Sequence, residues 1–269
     1  MQIYRDFNIG TATPSREELD IFPHTGINEL SPEENYSVAE FLERADEEGR
    51  EAESRGLVPF VLGGTGMYIN AFLYGLDEMP PANKSYRNRL KKLAEKRGKE
   101  YLHERLQEID PRAGEKIHPN DRRRVIRALE IYYQTGKTKT RLTAGEKTLR
   151  EEIDPLVVGL HRPREELEGR ISRRVEKMLE QGLIQEVKRL RGEYTLAKTV
   201  RQAIGFKEVV QYLDGTVDRR EMVDKIIDNT LEFARKQKNW FKKFPVEKWY
   251  HPVEDKKELI DKIERKLSD

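Results

Sequence analysis

Residues 58–62 (VPFVL with its proline at 59) form an apolar run that empties into Gly63-Gly64-Thr65-Gly66, then into the apolar Met67-Tyr68-Ile69. A short apolar run bounded by turn residues reads as a strand, and the glycines permit the sharp turn before a helix. A strand that feeds a Gly-rich turn and a helix belongs to a parallel sheet. It brings backbone N–H groups and a helix N-terminus to the sheet edge, where anionic groups bind. The ordinary alternative is a tight turn with no ligand. The preceding segment supports the sheet: Ser37 with Glu40 makes a capping box, and Val38, Phe41, Leu42 and Ala45 share one helical face. Helix and strand together read as an αβ unit.

At 269 residues the chain has room for more than one domain. Charged residues make up 37% and hydrophobic ones 36%, yet the net charge is only +2, so affinity for nucleic acid must come from local patches. The absence of cysteine excludes disulfides, a thiol nucleophile and cysteine-bound zinc. No apolar run approaches the roughly 20 residues of a membrane helix and no signal peptide opens the sequence, so a soluble, cytoplasmic protein is expected.

Pro80-Pro81-Ala82-Asn83 marks a boundary, after which residues 84–99, 101–109 and 121–135 read as helices, the last closed by Gly136. Strand-like character returns at residues 155–160, followed by a long helix over 164–191 with a bend at Gly182 and another over 220–243. The expected architecture is an α/β core of residues 1–79 and 150–269, with a helical insertion domain at 80–149. Residues 58–62 and 156–160 are expected in one parallel sheet, with Thr65 and the 201–207 stretch near the carboxyl end of its strands.

Three constellations bear on chemistry. Asp121–Arg127 reads DRRRVIR; on a helix Arg123, Arg124 and Arg127 share a face. That face suits either solvent or phosphate, since arginine forks match phosphate oxygens. Residues 199–210 set Arg201, Gln202 and Lys207 around Gly205. These read as a plain helix connection or as a contact surface in which the Gln202 amide reads an adenine edge. Near the end of the last long helix, Arg235, Lys236, Lys238, Lys242 and Lys243 form a basic stripe, with Phe233, Trp240 and Phe241 read as core. The five histidines show no metal-ligand spacing. These features suggest a phosphate-containing ligand or RNA without naming a reaction.

The strings GGTGMYINAFLYGL at 63–76, IHPNDRRRVIRALEIYYQTGK at 117–137 and QAIGFKE at 202–208 resemble the bacterial tRNA dimethylallyltransferases, also called tRNA isopentenyltransferases or IPP transferases. MQIYRDFNIGTA at 1–12, residues 36–41 and ARKQKNWF at 234–241 are similar to the same family, in the same order and spacing. The resemblance implies a P-loop-NTPase-like parallel-sheet core with a helical insertion domain that contacts tRNA. It implies transfer of a dimethylallyl group from dimethylallyl diphosphate to N6 of the adenosine 3′ of the anticodon. The partners implied are a tRNA anticodon stem-loop and the diphosphate, with no membrane, and the protein is expected to be a monomer.

Matched by position, Thr65 looks like a tRNA-contacting threonine that supports catalysis, and Arg87 like a contact in the insertion. Arg123, Arg124, Val125, Ile126 and Arg127 resemble one tRNA-interaction stretch, and Gln202, Ala203, Ile204, Gly205, Phe206 and Lys207 another. Met1 and Gln2 resemble the end of the family's Asp-Ser-x-x segment, whose aspartate, the family's presumed base, would fall two residues before Met1. The sequence also contains no G-x-x-x-x-G-K-[ST], the loop that in the family holds the diphosphate and Mg²⁺. Mg²⁺ is therefore expected from the family with no ligand assigned in this chain, and no diphosphate-binding residue is assigned. Thr13 and Leu231 stand where the family usually has Lys and Arg, and Asn28 where aspartate is common. The chain as it stands is expected to be a shortened, inactive version of such an enzyme. The alternatives are a non-catalytic tRNA- or RNA-binding paralogue and a small-molecule phosphotransferase of P-loop-kinase type.

Overall fold

The computed structural model describes residues 1–145 and 147–268, and of Lys99 the backbone alone. The chain divides into two compact units, Met1–Phe72 with Asp154–Asp269, and Leu73–Ile153. The sequence reading placed these divisions at 79/80 and 149/150.

The first unit opens with α1 (Asn8–Thr11), α2 (Arg16–Ile21) and α3 (Val38–Ser54), and α4 (Gly66–Tyr74) leads out of it. The capping box of α3 forms as its sequence dictates. Ser37 Oγ accepts from the Glu40 amide at 3.2 Å, while the Glu40 carboxylate accepts from the Ser37 amide at 2.7 Å. The second unit contains α5 (Lys84–Arg97), α6 (Lys99–Ile109), α7 (Pro111–Lys116), α8 (Arg122–Thr135) and α9 (Lys139–Leu142), with no strand among the described residues. Its core is Leu90, Ala94, Leu102, Leu106, Val125, Ile126, Leu129 and their neighbours.

The chain then returns to the first unit with β1 (Gly159–Leu160), α10 (Arg164–Glu180), α11 (Leu183–Glu193), α12 (Lys198–Arg201), α13 (Phe206–Leu213), α14 (Arg219–Phe241), β2 (Trp249–Tyr250) and α15 (Lys256–Ser268). The single long helix expected over 164–191 is two. Gly182 adopts φ +101°, a left-handed conformation that ends a helical path rather than bending it. The unit's core joins Phe7, Val175, Leu183, Val187, Leu190, Phe206, Val209, Met222 and Ile226. Its amino-terminal stretch is tied down across the sequence: the buried Glu186 carboxylate on α11 accepts from the backbone amides of Asn8, Ile9 and Gly10 at 2.7, 2.8 and 2.9 Å.

The protein is α/β, mostly helical around a small parallel sheet. β1 and β2 pair in parallel, Gly159 with Trp249 and Leu160 with Tyr250. A Cβ on Gly159 would lie 2.7 Å from the Trp249 ring, which is why that strand carries glycine. The strand expected at 58–62 does not form. Among the described residues no neighbouring segment takes its backbone hydrogen bonds. A strand exists only by such pairing, and these side chains stay in water, Leu62 at 79% exposure. Residues 156–158 likewise lie outside the sheet, so the two predicted strands do not share one.

Candidate functional site

The glycine turn serves packing first. A Cβ on Gly64 would lie 2.1 Å from Gln237 Nε2, and one on Gly66 would lie 1.9 Å from Trp240 Cδ1. Both partners sit on α14, and Gln237 Nε2 donates to the Gly64 carbonyl at 2.9 Å. The space expected to cradle an anion thus admits two side chains of a helix. Thr65 remains exposed, and its carbonyl accepts from the amides of Tyr68 and Ile69 to start α4. Tyr68 in turn stacks on Phe41 with ring centroids 4.7 Å apart.

Eight residues earlier on α14, Asn229 Nδ2 donates to the buried Glu208 carboxylate at 2.7 Å. Glu208 also reaches back to accept from the Gly205 amide at 2.8 Å. Gly205 holds φ +91°, which an L side chain rarely adopts, so the turn requires glycine there. The Gly63–Gly66 turn and the 202–208 stretch therefore both bind α14, about 12 Å apart along its axis. Within the second stretch, Phe206 is buried edge-on to Phe7 at 5.9 Å, and Ala203 and Ile204 pack against the core. These three, expected at an RNA surface, are instead apolar ballast for the turn. Gln202 is exposed and Lys207 half-exposed, so they carry its polar face. Tyr4 lies in the same core; burial pushes its phenol pKa up against hydrogen bonds with the Tyr36 backbone and the Thr199 side chain. Met1 is exposed, whereas the Gln2 amide donates to the Ala12 carbonyl at 3.0 Å.

In the helical unit the arginine face splits in two. Asp121 caps α8 by accepting from the Arg124 amide at 3.1 Å, and Gly136 closes it in a left-handed conformation. Val125 and Ile126 are buried in the core, which corrects their assignment to an RNA surface: on a helix they face away from the arginines. Arg127 is not free either. Its Nη1 donates to the fully buried Glu130 at 2.5 Å and its Nη2 to the Pro80 carbonyl at 2.7 Å. Arg87 grips the same carboxylate bidentately, Nε at 2.8 Å and Nη2 at 2.7 Å, and the Asn83 amide adds a bond at 2.6 Å. Burial alone would raise the Glu130 carboxyl pKa; the hydrogen bonds from Arg87, Arg127 and Asn83 outweigh it and hold it below 4.5. Arg123 and Arg124 stay exposed, Arg124 in a loose pair with Asp121 at 3.3 Å.

The sequence reading missed a second cationic face. On α10, Arg170, Arg173, Arg174 and Lys177 stand at i, i+3, i+4 and i+7, and with Leu167 and Ile171 they line one open concavity. Among the described residues none of the four cations has an acidic partner. Glu166, one turn before Arg170, is taken by His251 at 2.8 Å and by Arg162. Desolvation lowers the Arg174 guanidinium pKa, while all four cations keep exposed surface on the concavity. The spacing was legible in the sequence; its freedom from acids was not.

The model of the IPP transferase family matches residues 2–244. This chain belongs to that family. It is 41% identical over 272 residues to the tRNA dimethylallyltransferase of Halothermothrix orenii, covering 100% of this chain and 82% of that protein. The structure is similar to the tRNA isopentenylpyrophosphate transferase of Bacillus halodurans, with a TM-score of 0.69, 38% identity and coverage of 99% and 86% of the two chains. It is also similar to a eukaryotic dimethylallyltransferase acting on tRNA, with a TM-score of 0.75 and 30% identity, over 90% of this chain and 61% of that one. Among the described residues no group of three or more His, Cys, Asp or Glu side chains could hold a metal ion, and no helix is long and apolar enough to cross a membrane.

Proposed function

We propose that the protein is a cytoplasmic tRNA dimethylallyltransferase, moving the dimethylallyl group of its diphosphate to N6 of the adenosine 3′ of the anticodon. In that reaction the allylic carbon–oxygen bond breaks, the amine nitrogen attacks the carbon and gives up one proton to a base, and negative charge collects on the departing diphosphate. Fixed cations aimed at that charge lower the barrier most. The observation that carries the reading is the unpaired row Arg170, Arg173, Arg174 and Lys177, four cations on one concave face. They hold the diphosphate. In the helical unit the exposed Arg123 and Arg124, and in the first unit the exposed Thr65 and Gln202 with the half-exposed Lys207, are each read as RNA contacts.

The test combines labelled dimethylallyl diphosphate with an anticodon stem-loop carrying the acceptor adenosine. The expected result is binding of the diphosphate that inorganic pyrophosphate competes and Arg174→Ala removes, with stem-loop binding retained. Label on N6 demonstrates the reaction outright. Stem-loop binding with no affinity for the diphosphate overturns the reading in favour of an RNA-binding module.

A further inference from the structure

Tyr86 on α5 and Tyr133 on α8 lie face to face, ring centroids 4.1 Å apart and planes 9° from parallel. Tyr86 packs down onto the core of the helical unit, so Tyr133 is the outer ring of the pair. It is 56% exposed. An inner ring covers one face of Tyr133, and water meets the remainder. Arg89 flanks the pair, its guanidinium carbon 5.0 Å from one centroid and 5.8 Å from the other. Ring stacking and the flanking cation both favour this arrangement.

Its surroundings are cationic. Glu130 stands three residues before Tyr133 and so shares its side of α8. That carboxylate fixes Arg87 and Arg127, and the bonds leave Nη1 of Arg87 and Nε of Arg127 free of it. Two guanidiniums against one carboxylate leave a net positive charge beside an open aromatic face. A protein partner would want a broad apolar groove, and one ring is too little. A flat face beside fixed guanidiniums matches a nucleotide, whose base stacks while its phosphate meets the cations.

Resting on the reading that this protein acts on tRNA, we propose that the Tyr86–Tyr133 stack is a platform for an unpaired RNA base, with Arg87, Arg89 and Arg127 set to meet the adjoining phosphates. Glu130 is the positioning residue that holds two of those guanidiniums in place. Base recognition by the helical unit is then stacking, tolerant of base identity, rather than edge reading.

Stem-loop affinity and its salt dependence, measured for wild type, Tyr133→Ala, Tyr133→Leu and Tyr133→Phe, test the platform. Base–aromatic stacking predicts a loss of about 5- to 150-fold for Ala and Leu, and a change within about twofold for Phe. The salt slope should not move, since no phosphate contact is removed. Leu keeps the bulk without the ring, so a loss shared by Ala and Leu but spared by Phe assigns stacking rather than packing. If Ala and Leu bind as wild type while Arg123→Ala still lowers the slope, the platform is wrong and the RNA reading stands. If wild type binds no stem-loop, both fall.

Discussion

The helices α8 and α10 each present a cluster of arginines, and they put them to different uses. In α8 an acid lies within the cluster: Glu130, three residues after Arg127, is fully buried and fixes both Arg127 and Arg87, leaving one net positive charge. In α10 the nearest acid, Glu166, is already held by Arg162 and His251, so Arg170, Arg173, Arg174 and Lys177 are left open. Arginine density therefore does not tell which arginines can receive a ligand. A carboxylate inside the cluster fixes the arginines it reaches and lowers their net charge, while cations that no acid reaches keep all of theirs.

The sharpest way to break this contrast is to exchange the two helices' roles by mutation. Arg174→Ala should remove the pyrophosphate-competed binding of dimethylallyl diphosphate, since it takes away one of the cations proposed to hold that charge. Arg127→Ala should leave the diphosphate response near wild type and act on stability. If Arg127→Ala impairs diphosphate use and Arg174→Ala does not, the assignment of the two faces is inverted.

Stability gives the next largest effect. Glu130→Ala should destabilise the protein by about 2–3 kcal/mol in a urea titration, below the range for fully buried pairs because Arg127 and Arg87 keep 28% and 35% of their side-chain exposure. Glu130→Gln should cost less. The pH dependence follows from the sign of the shift. A carboxyl held below 4.5 in the folded state adds stability that is complete above 4.5 and disappears as pH falls through its lower folded value. Wild type should lose this increment on acidification, and Glu130→Gln, which has no charge to lose, should not. Equal acid sensitivity of the two proteins would show that the ion cluster contributes nothing.

The smallest effect belongs to Arg123, exposed and without an ion-pair partner among the described residues. Arg123→Ala should weaken stem-loop binding modestly and reduce its salt slope by roughly 0.7–0.9 log units, one phosphate contact. An unchanged slope would make Arg123 a solvated side chain, and leave α8 with no RNA contact on that turn.

Local signals were read well because they act locally. Ser37 with Glu40, and Asp121 with Gly136, set the ends of α3 and α8 through atoms within four residues, so the sequence states them directly. Residues 58–62 were misread because a strand is defined by a partner far along the chain, and the apolar run alone cannot name one. The glycines of the turn were seen, but their reason, Gln237 and Trp240 more than 170 residues away, was out of reach of any local rule. The same holds for Arg87 and Arg127: only the folded chain shows that one buried carboxylate answers both, across 43 residues in one case and three in the other. In the site, Gln202 is exposed and Lys207 half-exposed, as their polarity suggests, while Val125, Ile126 and Phe206 are buried, because apolar residues inside a polar motif answer to the core.

The Glu186 carboxylate has a consequence for the order in which this protein is made. It closes contacts with Asn8, Ile9 and Gly10 across 176 to 178 residues. On the ribosome those early amides wait, without their acceptor, until α11 has emerged. The helical unit Leu73–Ile153 is continuous in sequence, and its helices pack against near neighbours, so its contacts are available long before. The interval in between exposes the amino-terminal stretch during synthesis, and it is there, rather than in the finished molecule, that a chaperone has the most to hold.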